Sequence, residues 1–187
     1  NNSVSKNMDA ALPELQSFNV DIDSLSFAGY LLHNVRLGLE QEDNQAWRLQ
    51  MESDDLSGEV IFPHRSQQAM TVNIQHLNLP FDKELSQTNQ PANHQLEWSI
   101  PKMNIHVADL SLKAWPKFAH SELDTQLIPT AKGVLFNQTK LKNSLFSVDG
   151  NLDWQWRGSE STRYTGQIMM PNIANVFSVF NATPALN

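Results

Sequence analysis

The chain has 187 residues, with 13 Lys and Arg against 20 Asp and Glu, a formal net charge of −7 and a pI near 5.2. That balance argues against nucleic acid as a partner, whose footprint is a basic stripe, and against simple electrostatic attraction to an anionic lipid surface. There is no cysteine, hence no disulfide and no thiolate metal site, and no run of about 18 apolar residues that would span a membrane as a helix.

Residues 1–17 are polar with a small Ala-Ala-Leu cluster and read as a linker or part of a preceding unit. From residue 18 a two-residue period takes over, the mark of a half-buried strand. Val20 and Ile22 alternate with Asp21 and Asp23. Leu25 and Phe27 continue after a one-residue slip of the kind a bulge produces. Further strands are expected at Val35, Leu37 and Leu39, then at Trp47, Leu49 and Met51. Val60 with Phe62 follow, then Met70, Val72 and Ile74, and then Leu77 and Leu79. Residues 82–94, polar and containing Pro91, form the best internal loop.

Leu96, Trp98 and Ile100 restart the strands, and Met103, Ile105, Val107, Leu110 and Leu112 continue them. Leu123, Leu127, Val134 and Phe136 are weaker signals. Val148, Leu152, Trp154 and Trp156 read as a pair of strands around Gly150, and Tyr164, Ile168 and Met170 as the last. Pro63, Pro80, Pro101, Pro129 and Pro171 stand where strands should end, because proline lacks the ladder's N–H donor. One helix is expected after Pro171, with Asn172 as N-cap and Ile173, Val176, Phe177 and Phe180 on one face.

The chain also repeats itself. The stretch Phe18 to Phe27 lies over Met103 to Leu112 at a shift of 85 residues, apolar on apolar, with Asn and a Leu-Ser pair recurring. The segment Gly58 to Pro63 has the spacing of Gly166 to Pro171, and Gly150 to Trp154 is a looser copy. Repeated strand units that cannot each bury a face point to an extended β architecture; chance likeness between alternating strands is the alternative. One-sided strands with few covering elements leave an apolar side that must meet a second sheet, a helix or a ligand.

Little in the chain points to catalysis. The six histidines (His33, His64, His76, His94, His106 and His120) show no metal-ligand spacing on one helix or strand face, and no metal site is expected. His106 falls opposite the apolar side of its own strand and reads as a solvated strand histidine. Asp21 and Asp23 read as the wet face of an amphipathic strand, and Asp54-Asp55 as turn chemistry. No nucleophile elbow and no phosphate-cradling glycine loop are present. Trp154 and Trp156 are spaced to share a strand face, as in a sugar platform, a core or a lipid-contacting rim.

The stretch from Phe18 to Gly29, then His33 to Leu39, Trp47-Arg48-Leu49 and Leu56 to Val60 resembles the AsmA-like superfamily of bacterial envelope proteins, and most its large YhdP branch. The tail resembles it too, in Gly150 to Trp154, Tyr164 to Ile168 and the apolar segment from Ile173; residues 82–147 match poorly. The resemblance implies a mainly β fold: an extended, curved antiparallel sheet with repeated strand units, groove-like, and one short C-terminal amphipathic helix. It divides the chain into a unit at 18–81, a loop at 82–94, a second unit with the helix at 95–181, and a truncated end at 182–187.

The resemblance further implies a non-enzymatic, periplasmic segment of a longer inner-membrane-anchored protein that takes phospholipid between inner and outer membrane. No cofactor and no catalytic residue are expected. The partners are phospholipid acyl chains, other segments of the same long chain and an envelope protein. The expected groove residues are Val20, Ile22, Leu37, Leu39, Leu49, Met51, Val60, Phe62, Val72, Ile74, Ile105 and Val107. The rival readings are a closed β-sandwich used as a structural or docking module, and a carbohydrate-binding module built on Trp154 and Trp156.

Overall fold

The computed structural model describes residues 17–27, 30–65, 67–79, 100–113, 120–157 and 160–172. They form ten strands: β1 (Ser17–Phe27), β2 (Tyr30–Gln41), β3 (Trp47–Glu52), β4 (Leu56–Phe62), β5 (Met70–Leu79), β6 (Met103–Leu112), β7 (Ser121–Pro129), β8 (Gly133–Lys142), β9 (Ser147–Gln155) and β10 (Ser161–Met169). All ten lie in one sheet, ordered as in the sequence and not closed on itself. Every neighbouring pair is antiparallel except β5 and β6, which run parallel. The sheet is thus two five-strand meanders joined through one parallel ladder, Met70 opposite Met103 to Leu79 opposite Leu112.

The two repeated stretches open the two meanders, as β1 and β6. Both slip at the aligned place. Ile22 and Leu25 turn inward around exposed Asp23 and Ser24, and Val107 and Leu110 are buried around Ala108 and Asp109. The structural devices differ. β1 and β2 keep one register across the slip, with Asn34 of β2 in the left-handed region at φ 54°, so that Leu32 and Val35 are both buried. The β6–β7 ladder instead shifts register between Val107 and Leu110. The slip in β1 is therefore a concerted change in two strands and not a bulge in their ladder.

Three further register shifts lie beside Gly58 in β4–β5, between Asp124 and Gln126 in β7–β8, and between Phe136 and Thr139 in β8–β9. The glycines mark close backbone approach. A Cβ on Gly58 would meet the Asn73 carbonyl oxygen at 2.6 Å and the Ile74 side chain at 2.8 Å. Gly150 and Gly166 face each other across β9 and β10, and the Tyr164 side chain reaches over the pair, its hydroxyl oxygen 2.9 and 2.6 Å from where their Cβ atoms would stand. The Tyr164 hydroxyl shares its one proton between the carbonyls of Gln167 and Asp149, at 2.9 and 3.1 Å. An aromatic side chain over paired glycines restores the packing surface that they lack.

Several expectations change. β7 and β8 are full strands of nine and ten residues. β9 is a single strand running through Gly150, with Trp156 beyond its end, not two strands around the glycine. By position, Gly150 in the fourth strand of the second meander is the counterpart of Gly58 in β4; Gly166 lies one strand later. Ile100 is irregular, while Leu96, Trp98 and the helix expected after Pro171 lie outside the described residues. Among the described residues there is one sheet, so they do not form a closed sandwich.

The close approach at Gly58 sets a test. Gly58→Val is expected to lower stability by about 2 kcal/mol through overpacking in mid-sheet. The urea midpoint should fall with an unchanged m value, and an unchanged midpoint would contradict the geometry.

Candidate functional site

Side chains opposite one another in a ladder share a face, so the registers decide which residues form a surface. One row crosses the whole sheet: Val20, Leu37, Met51, Gly58, Ile74, Val107, Leu123, Leu141, Val148 and Ile168, one residue from each strand. At about 4.8 Å per strand, this row is about 43 Å long. No member carries a polar side chain.

A second row runs beside it through Phe18, Leu39, Leu49, Val60, Val72 and Ile105 to Thr125. A third contains Trp47, Phe62, Met103, Leu127, Phe136, Leu152 and Tyr164, with Met70 opposite Met103. The twelve expected groove residues thus lie on one face. Five are in the first row, five in the second, Phe62 is in the third, and Ile22 stands opposite buried Val35.

Burial along this face is graded. Val107 is 3% exposed and, with Leu110 and Leu112, centres a cluster that includes Ile74, Leu77, Ile105, Leu123 and Leu141. Most of the twelve are half-buried, Phe62 is exposed, and Ile168 at the β10 end is 51% exposed. Sequence reasoning named Leu123 and Val148 as strand residues but did not join them to the face, and it did not single out Leu141, because bulges break the alternation in β7 and β8. It also missed the polar interruption in the second row. Thr125 is buried, and its hydroxyl lies 2.8 Å from that of Thr139, so each satisfies the other.

The opposite face is polar and paired at the same register positions. Arg36 bonds Asp21 and Glu52, each at 3.1 Å. Asp21 first, and then Glu52, hold its guanidinium above the usual value. Arg48 contacts Glu42 and lies within 4 Å of Glu40 and Glu59. His106 Nδ1 is 2.8 Å from Asp124, while Asp109 takes His76 and His120 on its two oxygens, each at 3.2 Å. His106 does stand on this polar face, but bound to a carboxylate rather than merely solvated.

The ligand atoms of His106, Glu122 and Asp124 lie within 4.8 Å of one another. Register sets Lys140 opposite Asp124 and Lys142 opposite Glu122. Cations in those positions favour a cross-strand charge ladder over a metal centre. The grouping depends on strand pairing, and no spacing within a single segment reveals it.

Trp154 and Trp156 meet edge to face, with centroids 5.3 Å apart and planes at 65°. That packing gives no flat platform on which a sugar ring could lie.

A family model described as YhdP protein matches residues 1–187. No curated protein and no solved structure matches the chain.

The gradient along the first row predicts unequal responses to one substitution. Val107→Asp is expected to cost more than about 4 kcal/mol, because it buries an unpaired charge. Ile168→Asp should stay within about 0.5 kcal/mol, as exposed positions do. Equal losses in urea unfolding would show that the two ends of the row are equally buried.

Proposed function

The chain belongs to the YhdP family, and on that premise we propose that it binds lipid acyl chains along its apolar sheet face as a non-catalytic part of an envelope phospholipid-transport protein. The proposal extends to location and partners: a periplasmic segment of a longer inner-membrane-anchored protein, working between inner and outer membrane beside other segments of the same chain and an envelope protein.

The carrying observation is the row of ten residues without a polar side chain, one per strand, from Val20 through Gly58 to Ile168. An acyl chain on such a face gains about 0.8 kcal/mol per buried CH2 group. Because the rows run perpendicular to the strands, a chain can shift from one strand to the next and exchange like for like. Movement along the face then needs no bond to be made or broken. Half-burial fits this use: a sealed core excludes a ligand, and a fully bare apolar face aggregates. The open sheet and the edge-to-face tryptophans support this reading over the sandwich and sugar-binding readings.

The test is purification without detergent from a bacterial envelope, followed by lipid mass spectrometry. The chain should carry stoichiometric phospholipid, and the Val72→Asp/Ile74→Asp variant should lose it while keeping its β circular dichroism. Phe62→Asp, at an exposed position on the same face, should reduce bound lipid without disturbing the fold. A folded, cooperative chain that never carries lipid would overturn the proposal.

A further inference from the structure

The chain is acidic as a whole, yet one stretch of its sheet's rim, from the β4–β5 turn to the β9–β10 connection, is not. Strand directions put five connections on the same rim: the β2–β3 turn, the β4–β5 turn, the entry to β6, the β7–β8 turn and the β9–β10 connection. The β2–β3 turn carries Glu42, which contacts Arg48, and Asp43; the other four carry Arg65, Lys102, Lys132 and Arg157, all exposed. None of the four has an ion pair among the described residues, unlike Arg36, Arg48 and Lys113. Lys140, Lys142 and Arg163 have none there either, but they stand within strands on the polar face, not in this rim's turns. Glu160 is the single carboxylate at these four cationic connections among the described residues.

The cations are held by ordered backbone. The amides of Trp156 and Arg157 both donate to the Lys132 carbonyl, at 3.1 and 3.0 Å, and the Met70 amide donates to the Lys102 carbonyl at 2.9 Å. From the β4–β5 turn to the β9–β10 connection this rim spans about 24 Å, at about 4.8 Å per strand. The opposite rim has the other sign. Its β3–β4 turn carries Asp54 and Asp55, and the cation beside them, Lys113, is already bound to Asp55 at 2.8 Å.

The order of side chains inward from the cationic rim matters as much as its charge. Behind it stands the third row, with Phe62, Met70, Met103 and Phe136, followed by the aliphatic rows. Cation, then aromatic and sulfur side chains, then aliphatic is the sequence of environments that a phospholipid presents from phosphate to acyl chain. A phosphate beside these four connections would meet cations that have no ion pair among the described residues; at the β3–β4 turn it would meet carboxylates.

We infer that the rim formed by Arg65, Lys102, Lys132 and Arg157 takes the lipid phosphate, fixing headgroups to one side of the sheet and favouring headgroups of net negative charge. The inference rests on the acyl-binding reading above and adds to it a polarity and a preference. Four exposed charges with no ion pair among the described residues attract an anion locally despite the net charge of −7, because screening confines each charge to about 8 Å at physiological salt.

The experiment measures binding of fluorescent lipids with identical acyl chains to the 187-residue chain: phosphatidylglycerol, phosphatidylcholine and headgroup-free diacylglycerol. At low salt, phosphatidylglycerol should bind at least about fivefold tighter than phosphatidylcholine, as exposed charge contacts allow. The preference should shrink in 0.5 M salt. The Arg65→Gln/Lys102→Gln/Lys132→Gln/Arg157→Gln variant should bind both phospholipids alike and diacylglycerol as before, and Lys102→Arg/Lys132→Arg should keep the preference. If the quadruple variant fails to fold, Lys132→Gln/Arg157→Gln should at least halve the preference. Diacylglycerol binding without any phosphatidylglycerol preference, or a preference untouched by the substitutions, overturns the rim assignment and leaves the acyl face standing. No binding of any of the three lipids overturns both.

Discussion

Cross-strand register is the constraint on which this structure depends. Side chains alternate with a period of two, so a one-residue slip in any ladder would carry that strand's apolar set to the polar side. Nine ladders stand in series between Val20 and Ile168, and an error in any one would break the row. The sheet holds register on both faces at once. On the apolar face, branched side chains pack in rows. On the polar face, opposite charges meet at the same positions, as in Asp21–Arg36–Glu52 and His106–Asp124. A one-residue slip would set Arg36 against Val20 or Ile22, and His106 against Leu123 or Thr125, so the polar face discriminates against wrong pairings even where each exposed pair contributes under about 1 kcal/mol.

The bulges are part of the same device. Each of the four register shifts occurs where the alternation itself slips or where a glycine or a left-handed residue stands nearby, such as Gly58 or Gln138 at φ 52°. An extra residue there resets the phase, so that Ile74 and Leu77, or Val107 and Leu110, face the same way. Without these resets, strands of nine to twelve residues would turn half their apolar side chains to water. A face this long, apolar and only half-covered suits a ligand that is itself long and apolar.

Much of this was legible in the residues. Strict alternation fixed the strands at Val35–Leu39, Trp47–Met51 and Met70–Ile74, and the copy of residues 18–27 at 103–112 marked the openings of both meanders. The strands at 121–142 were faint, because Thr125 and Thr139 put hydroxyls on the apolar face and two bulges interrupt the period there. Gly150 looked like a break because a lone glycine weakens a strand signal; Tyr164 over the Gly150–Gly166 pair repairs it, and that contact exists only across strands. The parallel joint, the histidine–carboxylate pairs and the cationic rim all depend on strand order, which alternation alone does not encode.

The central claim is that acyl chains lie on the face defined by the row from Val20 to Ile168. The most direct measurement is photocrosslinking with a phospholipid carrying a diazirine in its acyl chain, followed by peptide mapping of the labelled residues. The account predicts labels at alternate residues on the apolar side, among them Leu37, Met51, Val72 and Ile168, with Arg36, Gln50, Asn73 and Gln167 spared. Labels on those polar-face residues, or labels without any two-residue period, would contradict it.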